Sequence, residues 1–109
     1  MNDRCTPATA RRLKELGFYQ PEAAFGQVWY DAEDNPFLIG NLDSPMWLAD
    51  AYVYAATAPD ILPELGDHWT IDFWALSDEW VCRHDNGTRY YNENPAEAAA
   101  MAWLEKYAK

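Results

Sequence analysis

The sequence predicts one α+β domain in which a small antiparallel sheet of about four to five strands packs against an N-terminal and a C-terminal helix. Three observations predict it. Helix start and stop residues punctuate both ends of the chain, aromatic and branched residues run in short segments between polar turns, and an Asn86-Gly87 dipeptide sits between two such segments. At 109 residues the chain has the usual length of a single domain, and 1–109 reads as one folding unit without a linker, repeat or low-complexity tract.

Thr6 followed by Pro7 starts the first helix. The threonine serves the free amides of the first turn, and proline takes the position whose N–H would have no partner. Ala10, Leu13 and Leu16 recur at helical spacing, Gly17 closes the helix, and Arg11, Arg12 and Lys14 fall on its exposed side. Residues 25–30 and 37–39 read as strands joined by the polar turn Asp31, Ala32, Glu33, Asp34, Asn35, Pro36. Residues 41–54 stay open between a short helix begun by Ser44-Pro45 and a loop with an extended end at 52–54. Thr57, Pro59 and Asp60 begin a second helix with Ile61, Leu62 and Leu65 on its apolar side, kept short by Pro63 and ended by Gly66.

Three strands follow, at 69–76, 80–85 and 88–93. A two-residue Asn86-Gly87 turn pairs Asp85 with Thr88, His84 with Arg89, Arg83 with Tyr90 and Cys82 with Tyr91. That register puts Trp80, Cys82 and Tyr91 on one face with His84 and Arg89. The last helix opens at Asn94-Pro95 with Glu97 at the capping-box position. Its Ala96, Ala99, Ala100, Trp103, Leu104 and Tyr107 form one face, which the preceding sheet is expected to cover.

Composition narrows the function classes. Half the residues are apolar and 16% are aromatic, too hydrophobic for disorder even at a formal charge of -10. Apolar runs are only a few residues long, far from the roughly 20 needed to span a bilayer, and the N-terminus lacks the apolar stretch of a secretory signal. A cytoplasmic protein is the expectation. Lys14 is followed by no Lys or Arg until Arg83, while 13 Asp and Glu residues lie between them. Such a field disfavours nucleic acid and anionic lipid as direct partners and favours a basic protein surface or a cation. The same charge also serves plain solubility.

Catalysis would need a nucleophile with its base, a metal set or a phosphate loop. The sequence has no glycine-rich phosphate loop, no Gly-x-Ser-x-Gly elbow and no histidine pair at helical metal spacing, so neither a cofactor nor a catalytic residue is expected. The Asp31, Glu33, Asp34, Asn35 turn resembles a calcium loop only superficially, because Pro36 stands where the loop's glycine belongs and Leu42 where its bidentate Glu belongs. Cys82 and His84 form a Cys-x-His pair that would matter only if something lowered the thiol pKa; a buried structural cysteine is the expectation. Cys5 is the other free thiol.

The aromatic inventory is the unusual one, with six Trp and seven Tyr. Strand alternation puts Trp69, Ile71 and Phe73 on one face and Trp74 and Leu76 on the other. Trp74 must then be covered by another element or exposed for a partner, and cover is the expectation.

The segments ARRLKELGFYQP (10–21), FGQVWYD (25–31), YVYAATAPDILPEL (52–65) and NPAEAAAMAWLEKY (94–107) together resemble small proteins of phages, prophages and integrative elements. The resemblance implies a mobile-element accessory protein, a class that often binds and blocks host machinery, and it brings no catalytic residues.

Two function readings follow. The first is a non-enzymatic binding protein whose acidic surface docks on a basic host protein, through Asp31, Glu33, Asp34, Asp43 and Asp50 with Trp47 as an anchor. The second is a protein that sequesters a nucleotide or metabolite in an aromatic pocket of Trp69, Trp74, Trp80 and Tyr91, with Arg83 or Arg89 meeting an anionic group. Exposed aromatics fit a homodimer as well.

Overall fold

The computed structural model describes residues 3–22, 24–39 and 52–107. In chain order it contains α1 (Pro7–Glu15), β1 (Val28–Tyr30), β2 (Pro36–Leu38), β3 (Val53–Tyr54), α2 (Ala58–Leu65), β4 (Trp69–Trp74), β5 (Glu79–His84), β6 (Arg89–Asn92) and α3 (Pro95–Tyr107). The α+β class is as expected, but the strands form two antiparallel sheets of three, β2-β1-β3 and β4-β5-β6, in place of one sheet of four to five. The division has a local cause. β3 joins the N-terminal hairpin, with Trp29 opposite Tyr54 and Tyr30 opposite Val53, and α2 then separates it from β4.

Helix boundaries follow the sequence signals. Thr6 caps α1 by accepting from the Thr9 amide at 3.4 Å, and Gly17 takes a left-handed φ of 95° after the last turn. At the start of α2, Asp60 Oδ2 accepts from both the Thr57 amide and the Thr57 hydroxyl at 2.9 Å. At α3 the box expected from Glu97 does not form. Asn94 Oδ1 instead accepts from the Ala96 amide at 2.9 Å, and Glu97 reaches across to α1, accepting from the Thr6 amide at 3.1 Å and the Thr9 hydroxyl at 2.8 Å.

Helix α3 is the centre of the molecule. Ala96, Ala98, Ala99, Ala100, Ala102 and Trp103 are all buried, a wider arc than the single face read from the sequence. The small side chains let β5 and β6 approach on one side and α2 and α1 on the others. Cys5, Leu13, Phe18, Tyr30, Val53, Ile61, Leu65 and Cys82 complete this core. The segment before α1 is tied in from the middle and the far end of the chain, with the Cys5 amide donating to Ala56 O at 2.8 Å and Asn94 Nδ2 donating to Arg4 O at 2.6 Å.

The register of the last hairpin differs from the expectation by one residue. Arg83 lies opposite Arg89, Cys82 opposite Tyr90, Val81 opposite Tyr91 and Trp80 opposite Asn92. The turn uses three residues, Asp85, Asn86 and Gly87, with Gly87 at φ 98° and the His84 amide donating to Thr88 O at 2.8 Å. A left-handed glycine closing a three-residue loop gives this bulged hairpin in place of the two-residue turn. A one-residue slip moves side chains to the opposite face, so Arg89 and Tyr91 part from Trp80, Cys82 and His84.

Candidate binding face on the C-terminal sheet

The corrected register sorts the second sheet into two faces. Trp69, Ile71, Phe73, Trp80, Cys82, His84 and Tyr90 share the inner face, where Cys82 belongs to the core and Trp69, Ile71 and Tyr90 pack against it. Thr70, Asp72, Trp74, Glu79, Val81, Arg83, Arg89 and Tyr91 share the outer face.

Of the six residues proposed for an aromatic pocket, the fold brings four together. Trp74 meets the Tyr91 ring edge-on at a centroid distance of 5.6 Å, and the Arg89 guanidinium lies over the Trp74 ring at 5.1 Å. Arg83 sits opposite Arg89 on the same face and donates from Nε to Asp72 Oδ2 at 3.0 Å. Trp69 and Trp80 lie on the inner face, where Trp69 stacks on Tyr90 and Trp80 meets Phe73 edge-on. They take no part in a site with the other four.

The outer face is built on Val81, which is fully buried between its cross-strand neighbours Asp72 and Tyr91 although it stands outside the main core. Trp74 was expected to lie under another element. Its described cover is instead the Arg89 and Tyr91 side chains of its own sheet. At the end of the β4–β5 hairpin, Leu76 in the turn is 103% exposed and Phe73 is 48% exposed. An aromatic pair thus stands on each face of the hairpin end, with a bare leucine between them. Sequence alternation placed Trp74 and Leu76 on one side; only the pairing put Val81 and Tyr91 opposite each other on the face that carries Trp74.

A depression of about 250 Å³ at the other end of the outer face is lined by Thr70, Arg83, His84, Asp85, Gly87 and Arg89, without an aromatic wall. Small-molecule sites are usually larger and mostly apolar, roughly 300–1,000 Å³. The geometry is that of a surface, with Trp, Tyr and Arg at its centre, the residue types enriched at the energetic centres of protein interfaces.

The acidic candidates are placed differently. Asp31 Oδ1 accepts from the amides of Glu33 at 2.9 Å and Asn35 at 3.0 Å, so its carboxylate organises the turn. Backbone donation from Asn35 leads the causes that hold the Asp31 carboxyl below its ordinary range. Asp34 accepts from Arg11 Nε at 2.7 Å, while Arg11 Nη2 donates to Asp31 O at 2.6 Å, tying the turn to α1. Glu33 is exposed beside them. Asp43, Trp47 and Asp50 lie outside the described residues.

Cys82 is buried, and desolvation pushes its thiol up to about 11, leaving it neutral at physiological pH. Among the described residues, no group of three or more His, Cys, Asp or Glu is placed to hold a metal ion, and no helix is long and apolar enough to cross a membrane. No protein family, curated protein or solved structure matches the chain.

Proposed function

We propose that this chain is a non-enzymatic binding protein that docks on a basic protein partner through the outer face and hairpin end of the β4–β6 sheet. The observation that carries the reading is the grouping of half-buried Trp74 with exposed Arg89 and Tyr91 beside buried Val81, next to a hairpin turn that carries the fully exposed Leu76. Such a surface costs solvation free energy in the free protein, and a partner's apolar patch removes that cost. Charge supports the partner's sign. The net charge is -10, and Asp78, Glu79 and Glu93 lie around the hairpin end, so a basic rim on the partner would be drawn in over long range and complemented on contact. Glu33 and the rest of the acidic body contribute to that steering; Asp31 and Asp34 do so while holding their turn. The resemblance to mobile-element accessory proteins adds a host protein in the cytoplasm as the setting.

The small-molecule reading loses support from the small size of the depression and from the separation of Trp69 and Trp80. The test is affinity capture from host lysate with the wild-type chain, Leu76→Asp, Tyr91→Ala, and a charge-reversed Asp31/Glu33/Asp34 variant, at two salt concentrations. The expected result is one stoichiometric basic protein, released by Leu76→Asp and Tyr91→Ala and weakened mainly at low salt by charge reversal. Undiminished capture by Leu76→Asp would overturn the assigned face. Recovery of nothing but a second copy of the chain would replace the basic partner with a homodimer.

A further inference from the structure

A second site is separate from that face and does not depend on it. Residues Phe18, Tyr19, Pro21, Gln27, Tyr54, Asp60 and Glu64 line an open-mouthed cavity of about 170 Å³ between the segment after α1, the residue ahead of β1, the end of β3 and one side of α2. Its walls combine three aromatic rings with two carboxylates one helical turn apart.

The walls are held in place before any ligand arrives. The Tyr54 hydroxyl donates to Asp60 Oδ2 at 2.9 Å, and the Tyr54 ring rests edge-on against Trp29 at 5.6 Å. Phe18 is buried with its ring edge-on to Trp103 at 5.4 Å, and Trp103 Nε1 donates to Glu64 Oε1 at 3.1 Å. Gln20 Oε1 accepts from the Tyr54 amide at 2.9 Å, fixing the segment that carries Tyr19. Tyr19 itself is 64% exposed and forms the solvent-facing wall.

Aromatic faces carry negative quadrupole potential, and a cation over them gains more when carboxylates stand beside the rings. Arg4 bears on this wall from outside the lining, acting on the Tyr54 hydroxyl and bonding Ala55 O at 3.3 Å. Asp60 and Glu64 are acidic, and none of the residues that line the cavity is basic. An anion would meet repulsion there, and a neutral apolar group would leave the carboxylates desolvated.

We propose that this cavity is a socket for an alkylammonium or guanidinium group. The group comes either from a lysine or arginine side chain of a protein or from a free small amine.

The test is an NMR titration of the full chain with tetramethylammonium chloride and methylguanidinium chloride, each against sodium chloride at equal ionic strength. Capped Gly-Lys-Gly and Gly-Arg-Gly peptides form the second arm. The Trp103 indole N–H reports on the site through its bond to Glu64. The expected result is a saturable shift of that resonance and of the Tyr19 and Tyr54 ring signals, absent with sodium. Tyr19→Ala and Glu64→Gln should each weaken binding about threefold or more. Tyr19 is exposed, and Glu64→Gln keeps a side-chain acceptor for the Trp103 indole, so both variants retain the fold. Tighter binding of the peptides assigns a protein side chain, and equal or tighter binding of the free cations assigns a small amine. Shifts indistinguishable from those with sodium, or insensitive to both substitutions, would overturn the socket.

Discussion

Glu97 of the last helix occupies the place that a capping-box glutamate would take in the first helix, accepting the Thr6 amide at 3.1 Å from 91 residues away. Position N3 of α1 is Thr9, whose hydroxyl donates to the other carboxylate oxygen at 2.8 Å. The two ends of the chain are therefore joined by charge-assisted bonds at a helix N-terminus, where negative charge is favoured. Glu97→Ala should destabilise the fold by about 2 kcal/mol, and Glu97→Gln by about 1 kcal/mol because an acceptor remains. Urea unfolding of the three proteins measures the difference.

Stability should fall on the alkaline side. Burial raises the Cys82 thiol from an ordinary value near 9 to about 11, and it raises Cys5 and Tyr30 as well; burial and the bond to Asp60 raise Tyr54 to about 12. These groups are neutral when folded and ionise more readily when unfolded. Their contribution is complete below about pH 9 and is lost as pH rises through the folded values. Thermal unfolding midpoints should be flat from about pH 7 to 9 and drop between about pH 9 and 11. A flat profile to pH 11 would contradict the burial of both thiols. At pH 8, alkylation of Cys82 should require unfolding.

Gly87 sets the register that assembles the outer face. Its φ of 98° is open to glycine and strained for residues with a Cβ, although no atom would block one. Gly87→Ala should cost about 1 kcal/mol, with Gly87→Asn costing less because asparagine tolerates this region better. Cross-strand contacts between Cys82 and Tyr90 in an NMR spectrum would verify the register, and contacts between Cys82 and Tyr91 would reject it.

Most helix boundaries were legible in the sequence because they rest on local chemistry: Thr6-Pro7, Gly17, Thr57 with Asp60, Gly66 and Asn94-Pro95 each satisfy groups within a few residues. What escaped the sequence is nonlocal. The pairing of β3 with β1 links residues about 24 apart, the Glu97 cap spans the chain, and the one-residue hairpin difference turned on whether Asp85 belonged to strand or turn. The outer face was half legible for this reason. Alternation located Trp74 and Leu76, but the shifted register decided that Arg89 and Tyr91 join them while Trp80 does not. The cavity at Phe18, Tyr19, Gln27, Tyr54, Asp60 and Glu64 left no local pattern, since four separate segments build it.

Leu76 separates binding from folding. A fully exposed turn residue contributes little to stability, so Leu76→Asp should change the unfolding free energy by no more than about 0.5 kcal/mol. Arg89→Ala, which uncovers one face of Trp74, should cost about 0.5–1 kcal/mol. Losing partner capture in Leu76→Asp with an unchanged unfolding curve would assign its role to the interface.

The most direct measurement is hydroxyl-radical footprinting of the captured complex, comparing side-chain oxidation with that of the free chain. Strong protection of Trp74, Leu76 and Tyr91, with Leu38 and Phe25 at the other sheet unchanged, is the expected result. Unchanged oxidation of Leu76 and Tyr91 in a stoichiometric complex would contradict the assignment of the outer face as the docking surface.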